Sequence, residues 1–337
     1  MHHVTLNYAD GISRSFEVAP GTPILDAAIA AGIPVLYQCK SGSCSSCTAK
    51  LAAGDAQTRI GASTSLLASE VAAGTRLLCV CEARSDCSFD LTYTSEASTV
   101  VAHEVHAFID SIEQIASNVV RLTVELADGE WVEFRPGQFM QIEVPGLGVL
   151  RSYSPSSVGT DVPKMAFLVR ILPDGAMSNF LSKEARPEQV LKLTGPYGSF
   201  FWHEEKKRAP HVFIAGGTGL APILSMIDTL RQSGGRRSSM LLSFGCATPQ
   251  ALFCLEDIEL RKQWLPALEA RICVDHDPRD GMYHGNPVSV LREGDVTPDT
   301  VAYLCGPQVM IDAATKRLIE LGATPANIYS EQFVPSN

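Results

Sequence analysis

The apolar positions of the chain change period twice, and these changes divide it into three segments. Residues 3–98 combine short alternating stretches with one amphipathic stretch, which predicts a small α+β unit. A threonine at the start of the amphipathic stretch and a glycine after it are typical of helix ends. The predicted elements are a hairpin of residues 4–8 and 15–18, a helix from Thr22 (its cap) to Ala31 stopped by Gly32, strands near 48–51 and 88–92, a short helix near 65–71, and a polar linker at 94–98.

The second and third segments predict two further domains. From residue 99 to about 206 the period is mostly two between glycines and prolines, which predicts an antiparallel β-barrel with one helix. From about 207 to 337, apolar strands alternate with helical stretches, as at 212–215 followed by 223–231. This alternation predicts a parallel sheet with helices on both faces, so we expect domains at 1–98, 99–206 and 207–337.

Composition narrows the function classes. The 337 residues are 45% apolar, and they carry a net charge of −10 with a pI near 5.3. The sequence has no run of basic residues of the kind that contacts the phosphates of a nucleic acid, so we expect no nucleic-acid partner. No apolar run reaches membrane-spanning length, and the first residues lack the pattern of a signal peptide, so we expect a cytoplasmic protein with no membrane partner.

Four of the ten cysteines carry the strongest signal in the chain. Cys39, Cys44 and Cys47 follow the spacing C-x4-C-x2-C, and a distant fourth cysteine comes later. This is the ligand pattern of a plant-type [2Fe-2S] cluster. The loop is made of small residues, which lets backbone amides approach the sulfides and stabilise the reduced cluster. A structural zinc site or scattered buried thiols are the alternatives, but zinc sites usually show two short pairs.

The fourth ligand is open between cysteines of one region, Cys79, Cys81 and Cys87. Cys79 follows the apolar pair Leu77-Leu78, where similar ferredoxins place the last ligand, so we expect Cys79 and interpret Cys81 as a small buried hydrophobe. Ser45 stands where such ferredoxins often have glycine. Cys246, Cys254 and Cys273 are expected in the core, and we expect no disulfide.

Three motifs of the second segment are weak alone and informative together. Arg151-Ser152-Tyr153-Ser154 is followed by Gly175-Ala176-Met177-Ser178 and then by residues 195–198, Gly-Pro-Tyr-Gly. In this order and spacing they resemble the FAD-binding domain of the ferredoxin-NADP reductase superfamily. The resemblance implies that Arg151 clamps the flavin pyrophosphate, Tyr153 stacks on the isoalloxazine ring, and Ser154 lies near its N5 atom. Gly175, Met177 and Ser178 would meet an anion at a helix start, whereas a surface salt bridge and an ordinary turn are the alternatives.

The third segment carries a nucleotide motif directly after a predicted strand and before a helix. It reads Gly216-Gly217-Thr218-Gly219, with Pro222 in the first helical turn. It matches the nicotinamide-nucleotide loop of the same superfamily. Cys305-Gly306-Pro307 matches the motif that reaches the nicotinamide ring, which implies that Cys305 lies beside the C4 atom that gives up hydride.

The order of the three segments, with the ending Glu331-Gln332-Phe333, resembles the reductase components of benzoate, toluate and anthranilate dioxygenases. The resemblance implies transfer of electrons from NADH through FAD and the cluster to the Rieske centre of a separate terminal oxygenase. It implies catalytic roles for Ser154, Cys305 and Glu331, cofactor contacts by Ser152 and Phe333, and a monomeric chain.

Two alternatives stay open. Reductases of phenol hydroxylase and soluble methane monooxygenase share this domain order. A regulatory or storage iron–sulfur flavoprotein is a different class, but it needs no nucleotide loop. Residues after the predicted strand 240–244 include no arginine for a 2′-phosphate, and Arg236 and Arg237 precede that strand, so NADH is expected over NADPH.

Overall fold

A computed structural model describes residues 1–38, 40–42, 46–62, 64–66, 68–96, 102–234 and 238–333. Their contacts form two compact units, residues 1–103 with 195–199 and residues 104–194 with 200–337. Within these residues no helix is both long and apolar enough to cross a membrane.

The first unit is the predicted α+β module. Its five-stranded sheet has the order β2-β1-β7-β3-β5, and a second sheet pairs β4 with β6. β1 and β2 form the expected hairpin, with Val4 opposite Phe16. The elements are β1 (His2–Asn7), β2 (Ser13–Val18), α1 (Ile24–Ala30), β3 (Thr48–Ala53), β4 (Ala56–Thr58), α2 (Ala68–Ala72), β5 (Thr75–Leu77), β6 (Cys81–Ala83) and β7 (Cys87–Asp90).

Three details of this unit differ from the sequence prediction. Thr22 does not cap α1, because Pro23 occupies the N-cap without a side-chain bond, and a residue before proline is held extended. The short helix begins at Ala68 rather than near residue 65, since the Ser65 amide bonds instead to the Gly42 carbonyl. In the predicted linker, Ser95 is bonded through its amide and hydroxyl to Asp10, and residues 97–98 lie outside the described residues.

The second unit begins with the predicted barrel. Its six-stranded sheet has the order β11-β10-β13-β8-β9-β12, and a bridge between Pro155 and Phe167 brings its two edges together. Alternate residues such as Leu122 and Val124 point into an apolar core. The elements are β8 (His103–Ala116), β9 (Val119–Leu126), β10 (Phe139–Val144), β11 (Val149–Tyr153), β12 (Lys164–Arg170), α3 (Ala176–Lys183) and β13 (Val190–Tyr197).

The rest of the second unit is the predicted parallel sheet. Its strands take the order β17-β16-β15-β14-β18-β19, and neighbouring strands are parallel, as are β14 and β18. Its two faces are packed by separate apolar clusters. The elements are β14 (His211–Gly216), α4 (Leu220–Gln232), β15 (Met240–Cys246), α5 (Leu255–Trp264), β16 (Leu268–Val274), β17 (Tyr283–His284), β18 (Val301–Gly306), α6 (Gln308–Glu320) and β19 (Ile328–Gln332).

Candidate functional site

Two of the four predicted cluster ligands lie in the described part of the first unit, close to each other. Cys47 and Cys79 are both buried. Thr48 is opposite Leu77 where β3 pairs with β5, and the Leu78 amide donates to the Cys47 carbonyl at 3.1 Å. The pairing of β3 with β5 therefore brings Cys47 and Cys79 close together. Cys39 and Cys44 lie outside the described residues, as does Ser45.

The environment of these cysteines fits a cluster. Ser46 is 1% exposed, and its hydroxyl has no hydrogen-bond partner among the described residues. A buried hydroxyl without a partner costs free energy, so a sulfur acceptor at this place would satisfy it. Cys81 is fully buried and belongs to β6, where it lies opposite Thr58 of β4. That strand position favours Cys79 over Cys81 as the fourth ligand.

In the barrel, the Arg-Ser-Tyr-Ser motif spans the end of β11. The Arg151 guanidinium donates to the carbonyl of Leu150 at 3.1 Å, and no carboxylate of the described residues forms an ion pair with it. The surface salt bridge, the alternative interpretation of Arg151, is therefore absent from the described part of the chain. Tyr153 packs against the barrel core, and burial raises the pKa of its phenol while nearby Arg151 lowers it. Arg151 keeps donors available for an anion such as a pyrophosphate.

The second barrel motif forms the start of α3, and Gly175 is the N-cap of this helix. Its Cβ, if present, would lie 2.9 Å from Ser178 Oγ. The Ser178 hydroxyl accepts a hydrogen bond from the Leu172 amide at 2.9 Å, which closes the turn. Met177 is 2% exposed in the barrel core. Met177 can therefore meet a ligand only through its backbone.

Two glycine-containing loops of the parallel sheet pack directly against each other. A Cβ on Gly219 would lie 2.2 Å from the Cys305 carbonyl oxygen, and one on Gly306 would lie 3.1 Å from the Gly216 amide. Gly217 is different, because it has a φ of +54° and open space where a Cβ would point. Gly216 and Gly219 thus serve packing between the loops, and Gly217 offers the open backbone to which a pyrophosphate can bind. Pro222 lies in the first turn of α4, as expected.

Within the second unit, strand register brings Cys305 and Glu331 together, and Ser154 approaches them from the barrel. Cys305 on β18 lies opposite Ala215 of β14 on one side and opposite Glu331 of β19 on the other. The Oε2 atom of Glu331 and the hydroxyl of Ser154 are both buried, with no hydrogen-bond partner among the described residues. The hydroxyl is nonetheless near enough to influence the carboxyl. Barrel and sheet therefore contribute to one polar site, and its unpaired groups fit a flavin edge.

The charges at this site are set by burial. Burial raises the pKa of Glu331 to about 8, and the Ser154 hydroxyl lowers it only in part. Glu331 is thus mostly protonated at neutral pH and can donate a hydrogen bond. Burial, followed by the negative charge of Glu331, holds the pKa of the Cys305 thiol well above its usual value. Cys305 therefore remains a neutral thiol, which suits contact with a nicotinamide ring better than attack on it.

Phe333 follows β19, and its amide donates to the Gly306 carbonyl at 3.0 Å. Its ring packs against the apolar cluster on one face of the parallel sheet. Phe333 is thereby fixed to the loop that contains Cys305.

The three cysteines expected in the core differ in how deeply they are buried. Cys273 is fully buried, whereas Cys246 and Cys254 are partly exposed and pack against the apolar cluster of the sheet. Cys246 ends β15, and although burial raises the pKa of its thiol to about 12, the Gly217 amide and Arg170 lower it in part. Arg170, at the end of β12, therefore brings positive charge close to the nucleotide loop. The motif-based prediction missed it because its strand precedes that loop by more than forty residues.

Arg121 joins the barrel to the sheet. It donates to Cys254 Sγ at 3.3 Å and forms an ion pair with Asp257 in the first turn of α5. Ile115 and Ala116, beside the same barrel turn, pack against the apolar cluster of the sheet. No sequence motif predicts this contact, because it joins residues that are 133 positions apart.

Comparison with known proteins matches each part of the chain to a family model. Residues 7–84 match a 2Fe-2S iron-sulfur cluster binding domain, residues 106–202 an oxidoreductase FAD-binding domain, and residues 213–316 an oxidoreductase NAD-binding domain. The toluate 1,2-dioxygenase electron transfer component of Pseudomonas putida is 30% identical, over 99% of this chain and 99% of that protein. This chain belongs to the family of iron–sulfur flavoprotein electron-transfer reductases.

Two other relatives show the breadth of that family. Methane monooxygenase component C of Methylosinus trichosporium is 36% identical, over 77% of each chain. The crystal structure of a cytochrome P450 reductase from Amycolatopsis superposes with a TM-score of 0.73 at 24% identity, covering 98% of this chain and 99% of that one. The latter likeness shows the shared three-part fold.

The resemblance inferred from the motifs is thus confirmed, as are the fold class and the cofactors FAD, [2Fe-2S] and NADH. The chain is an oxidoreductase that carries electrons from NADH through FAD to a [2Fe-2S] cluster. A storage or sensor protein without turnover is therefore excluded as its main function.

Proposed function

We propose that this chain supplies electrons to a terminal Rieske oxygenase that hydroxylates a benzoate-like acid. The proposal depends on two groups of residues in one chain. The first group is Cys305 and Glu331 from the sheet with Ser154 from the barrel, and the second is the buried pair Cys47 and Cys79. The first three fit a hydride donor and acceptor, and the last two fit a one-electron carrier. The full-length similarity to the toluate dioxygenase component supports the class of partner.

The proposed site residues follow the motifs and the geometry. The [2Fe-2S] cluster is held by Cys39, Cys44, Cys47 and Cys79. FAD is held by Arg151, Ser152, Tyr153, Ser154, Gly175, Ser178, Phe333 and the backbone of Met177. The nicotinamide nucleotide is held by Gly216, Gly217, Thr218, Gly219, Pro222, Cys305, Gly306 and Pro307.

Within this site, the chain itself orients the reactants and controls a proton. FAD, when bound, accepts two electrons as hydride and releases them singly. Glu331 holds its proton in a buried place, and Ser154 presents a hydroxyl that has no protein partner among the described residues. Both can donate hydrogen bonds to the reacting ring edges, and the neutral Cys305 thiol limits the position of the nicotinamide.

The partner would dock on the terminal cluster module. Residues 1–98 contain six Lys and Arg against nine Asp and Glu, so the module is acidic before the cluster adds its own charge. Opposite charge on a partner would speed encounter, and salt would screen it. We expect NADH-driven turnover of a purified Rieske benzoate-type oxygenase to fall as ionic strength rises, while NADH-ferricyanide activity changes much less. Equal salt responses of the two activities would contradict docking through this module.

A diiron monooxygenase is the second candidate partner, because component C of methane monooxygenase is 36% identical over 77% of the chain. The two candidates separate when the same reductase is assayed with a Rieske oxygenase and with a diiron hydroxylase. We expect coupled product formation only with the Rieske oxygenase. Coupling only with the diiron hydroxylase would reverse the assignment.

NADH is proposed as the preferred donor. After β15 the chain continues Ala247-Thr248, without the arginine that 2′-phosphate sites use. Arg170 is the charge that could weaken this preference, since it lies near Cys246. We expect a higher kcat/KM for NADH than for NADPH, and replacement of Arg170 by Ala should not reverse that order. A higher kcat/KM for NADPH would contradict the proposal.

Three further properties are proposed with this function. Domain boundaries near residues 98 and 206 lie outside the three matched regions, and limited proteolysis should cut near residue 98 before it cuts within them. The protein acts as a monomer, which light scattering of the holoprotein tests. It acts in the cytoplasm, where thiol ligands stay reduced, and cell fractionation tests this location.

A further inference from the structure

Tyr93 is among the largest side chains that the first unit buries fully, and its hydroxyl faces the segment that leads into the cysteine loop. It is 1% exposed. Its oxygen accepts a hydrogen bond from the Leu36 amide at 3.2 Å, three residues before Cys39. The phenol of Tyr93 is therefore buried beside the start of this loop.

A second tyrosine holds the same segment in a different way. Tyr8 donates its hydroxyl proton to the Pro34 carbonyl at 2.5 Å, and its ring meets that of Tyr93 edge to face with centroids 6.2 Å apart. The hydroxyl proton of Tyr8 is therefore already donated to the Pro34 carbonyl. The Tyr93 hydroxyl, in contrast, acts as an acceptor toward Leu36, and none of the described residues accepts its proton.

Strand pairing places one sulfur near that proton. β3 and β7 are antiparallel, with Lys50 opposite Asp90 and Leu51 opposite Phe89. The residues before Lys50 and those after Asp90 therefore lie toward the same end of the two strands. Cys47 comes three residues before Lys50, in the turn that leads into β3, and Tyr93 comes three residues after Asp90, in the bend that follows β7. The Tyr93 carbonyl accepts a hydrogen bond from the Ala9 amide, which fixes this bend beside the end of β1.

Electrostatic coupling agrees with this placement. Burial is the main cause that raises the pKa of Tyr93 above its usual value, and negative charge on the Cys47 sulfur raises it further. The Tyr93 hydroxyl and the Cys47 sulfur are therefore close enough to interact.

We propose that Tyr93 donates its hydroxyl proton toward the Cys47 sulfur and thereby raises the reduction potential of the cluster. A donor to a ligand sulfur stabilises the more negative, reduced cluster more than the oxidised one. NADH is a weak reductant for a plant-type cluster, whose reduction potential is low, so an upward shift of that potential favours electron flow outward from the flavin. Tyr93 is in this account a positioning residue with an electronic effect on the cluster. The inference rests on Cys47 as a ligand, which belongs to the proposed function.

The test is an EPR-monitored redox titration of the full-length holoprotein. Tyr93→Phe removes only the hydroxyl, and we expect the ratio of reduced to oxidised cluster at a fixed potential to fall about tenfold, which is about 59 mV for one electron. Tyr8→Phe is the matched control, since it removes a hydroxyl that is bonded to Pro34, and its cluster potential should equal that of the unaltered protein. An unchanged potential in Tyr93→Phe, or an equal shift in both variants, would overturn the tuning role.

A second measurement keeps the inference testable if Tyr93→Phe fails to hold a cluster. 3-Fluorotyrosine placed at position 93 keeps the shape of the side chain but is a stronger hydrogen-bond donor. We expect a more positive cluster potential, opposite in sign to the effect of phenylalanine. A potential that is unchanged or more negative would contradict donation to sulfur.

The ligand assignment has its own readout. Replacement of Cys47 by Ala should abolish the [2Fe-2S] visible spectrum. A normal spectrum in Cys47→Ala would overturn the assignment of Cys47 and this inference with it. A lost spectrum together with an unchanged potential in Tyr93→Phe would overturn the tuning role alone.

Discussion

Cys305 and Glu331 lie opposite each other on the paired strands β18 and β19, at the end of the parallel sheet where the nucleotide loop begins. The pairing places a neutral thiol beside a carboxyl that burial keeps protonated at neutral pH, with a pKa of about 8. Ser154 approaches the same carboxyl from the barrel. One strand pairing thus supplies two of the three groups at which hydride transfer is proposed to take place.

The raised pKa of Glu331 predicts a pH dependence. The protonated form donates a hydrogen bond and predominates below about pH 8, so flavin reduction by NADH should slow as pH rises through this value. Glu331→Gln cannot ionise and keeps a donor, so its rate should lack this decline while staying near the unaltered rate at pH 7. Stopped-flow measurement of flavin bleaching from pH 6 to 9.5 checks this. The same decline in both proteins would assign it to another group.

The two central glycines of the nucleotide loop should respond differently to alanine. A Cβ at Gly219 would lie 2.2 Å from the Cys305 carbonyl oxygen, so the loop containing Cys305 must move. A Cβ at Gly217 meets open space and costs only the strain of a positive φ, about 1 kcal/mol. We expect Gly219→Ala to slow flavin reduction about 100-fold and Gly217→Ala to weaken NADH binding with a smaller effect on the limiting rate. Equal effects on the limiting rate would argue against the packing role of Gly219.

Arg151 should control flavin retention. Loss of a charge-assisted contact to phosphate costs about 1.5–3 kcal/mol, so Arg151→Ala should bind FAD about 10- to 100-fold more weakly. Arg186→Ala is the matched control, because Arg186 is another barrel arginine that bonds to a nearby backbone carbonyl, that of Glu184. Fluorescence titration of the apoprotein with FAD measures both. An unchanged affinity in Arg151→Ala would remove this residue from the flavin site.

Cys79 and Cys81 are separated by one residue, and their variants should behave in opposite ways. Cys79 is placed next to Cys47 by the bond between the Leu78 amide and the Cys47 carbonyl, whereas Cys81 is fixed within β6. Cys79→Ala should lose the [2Fe-2S] visible and EPR signals and keep its flavin. Cys81→Ala should keep the cluster. The reverse result would move the fourth ligand to Cys81.

Much of this architecture was predictable because it depends on local pattern. The strand and helix periods indicated three folded parts, and the spacing of Cys39, Cys44 and Cys47 indicated a cluster. The same reasoning failed at Thr22, because the following Pro23 took over the N-cap. It also explained Gly219 only in part. The motif suggests that this glycine lets a phosphate approach the backbone, whereas the structure shows that it leaves room for the Cys305 carbonyl.

The relations that the sequence did not reveal all join distant residues. Arg121 meets Cys254 across 133 positions, and Tyr93 meets Leu36 across 57. A single sequence carries no pattern for such contacts, because they depend on how finished strands and domains pack. The acid–base character of Glu331 is of the same kind, since it arises from burial of a carboxyl and not from its neighbours in the chain.

The most direct test of the electron path compares two acceptors in the unaltered protein and in Cys79→Ala. Ferricyanide can take electrons from the flavin, whereas cytochrome c is expected to take them from the cluster. The account predicts that Cys79→Ala keeps its NADH-ferricyanide rate and loses nearly all NADH-dependent reduction of cytochrome c. A Cys79→Ala protein that lacks the cluster signal yet reduces cytochrome c at the normal rate would show that electrons leave from FAD, and the relay through the cluster would be wrong.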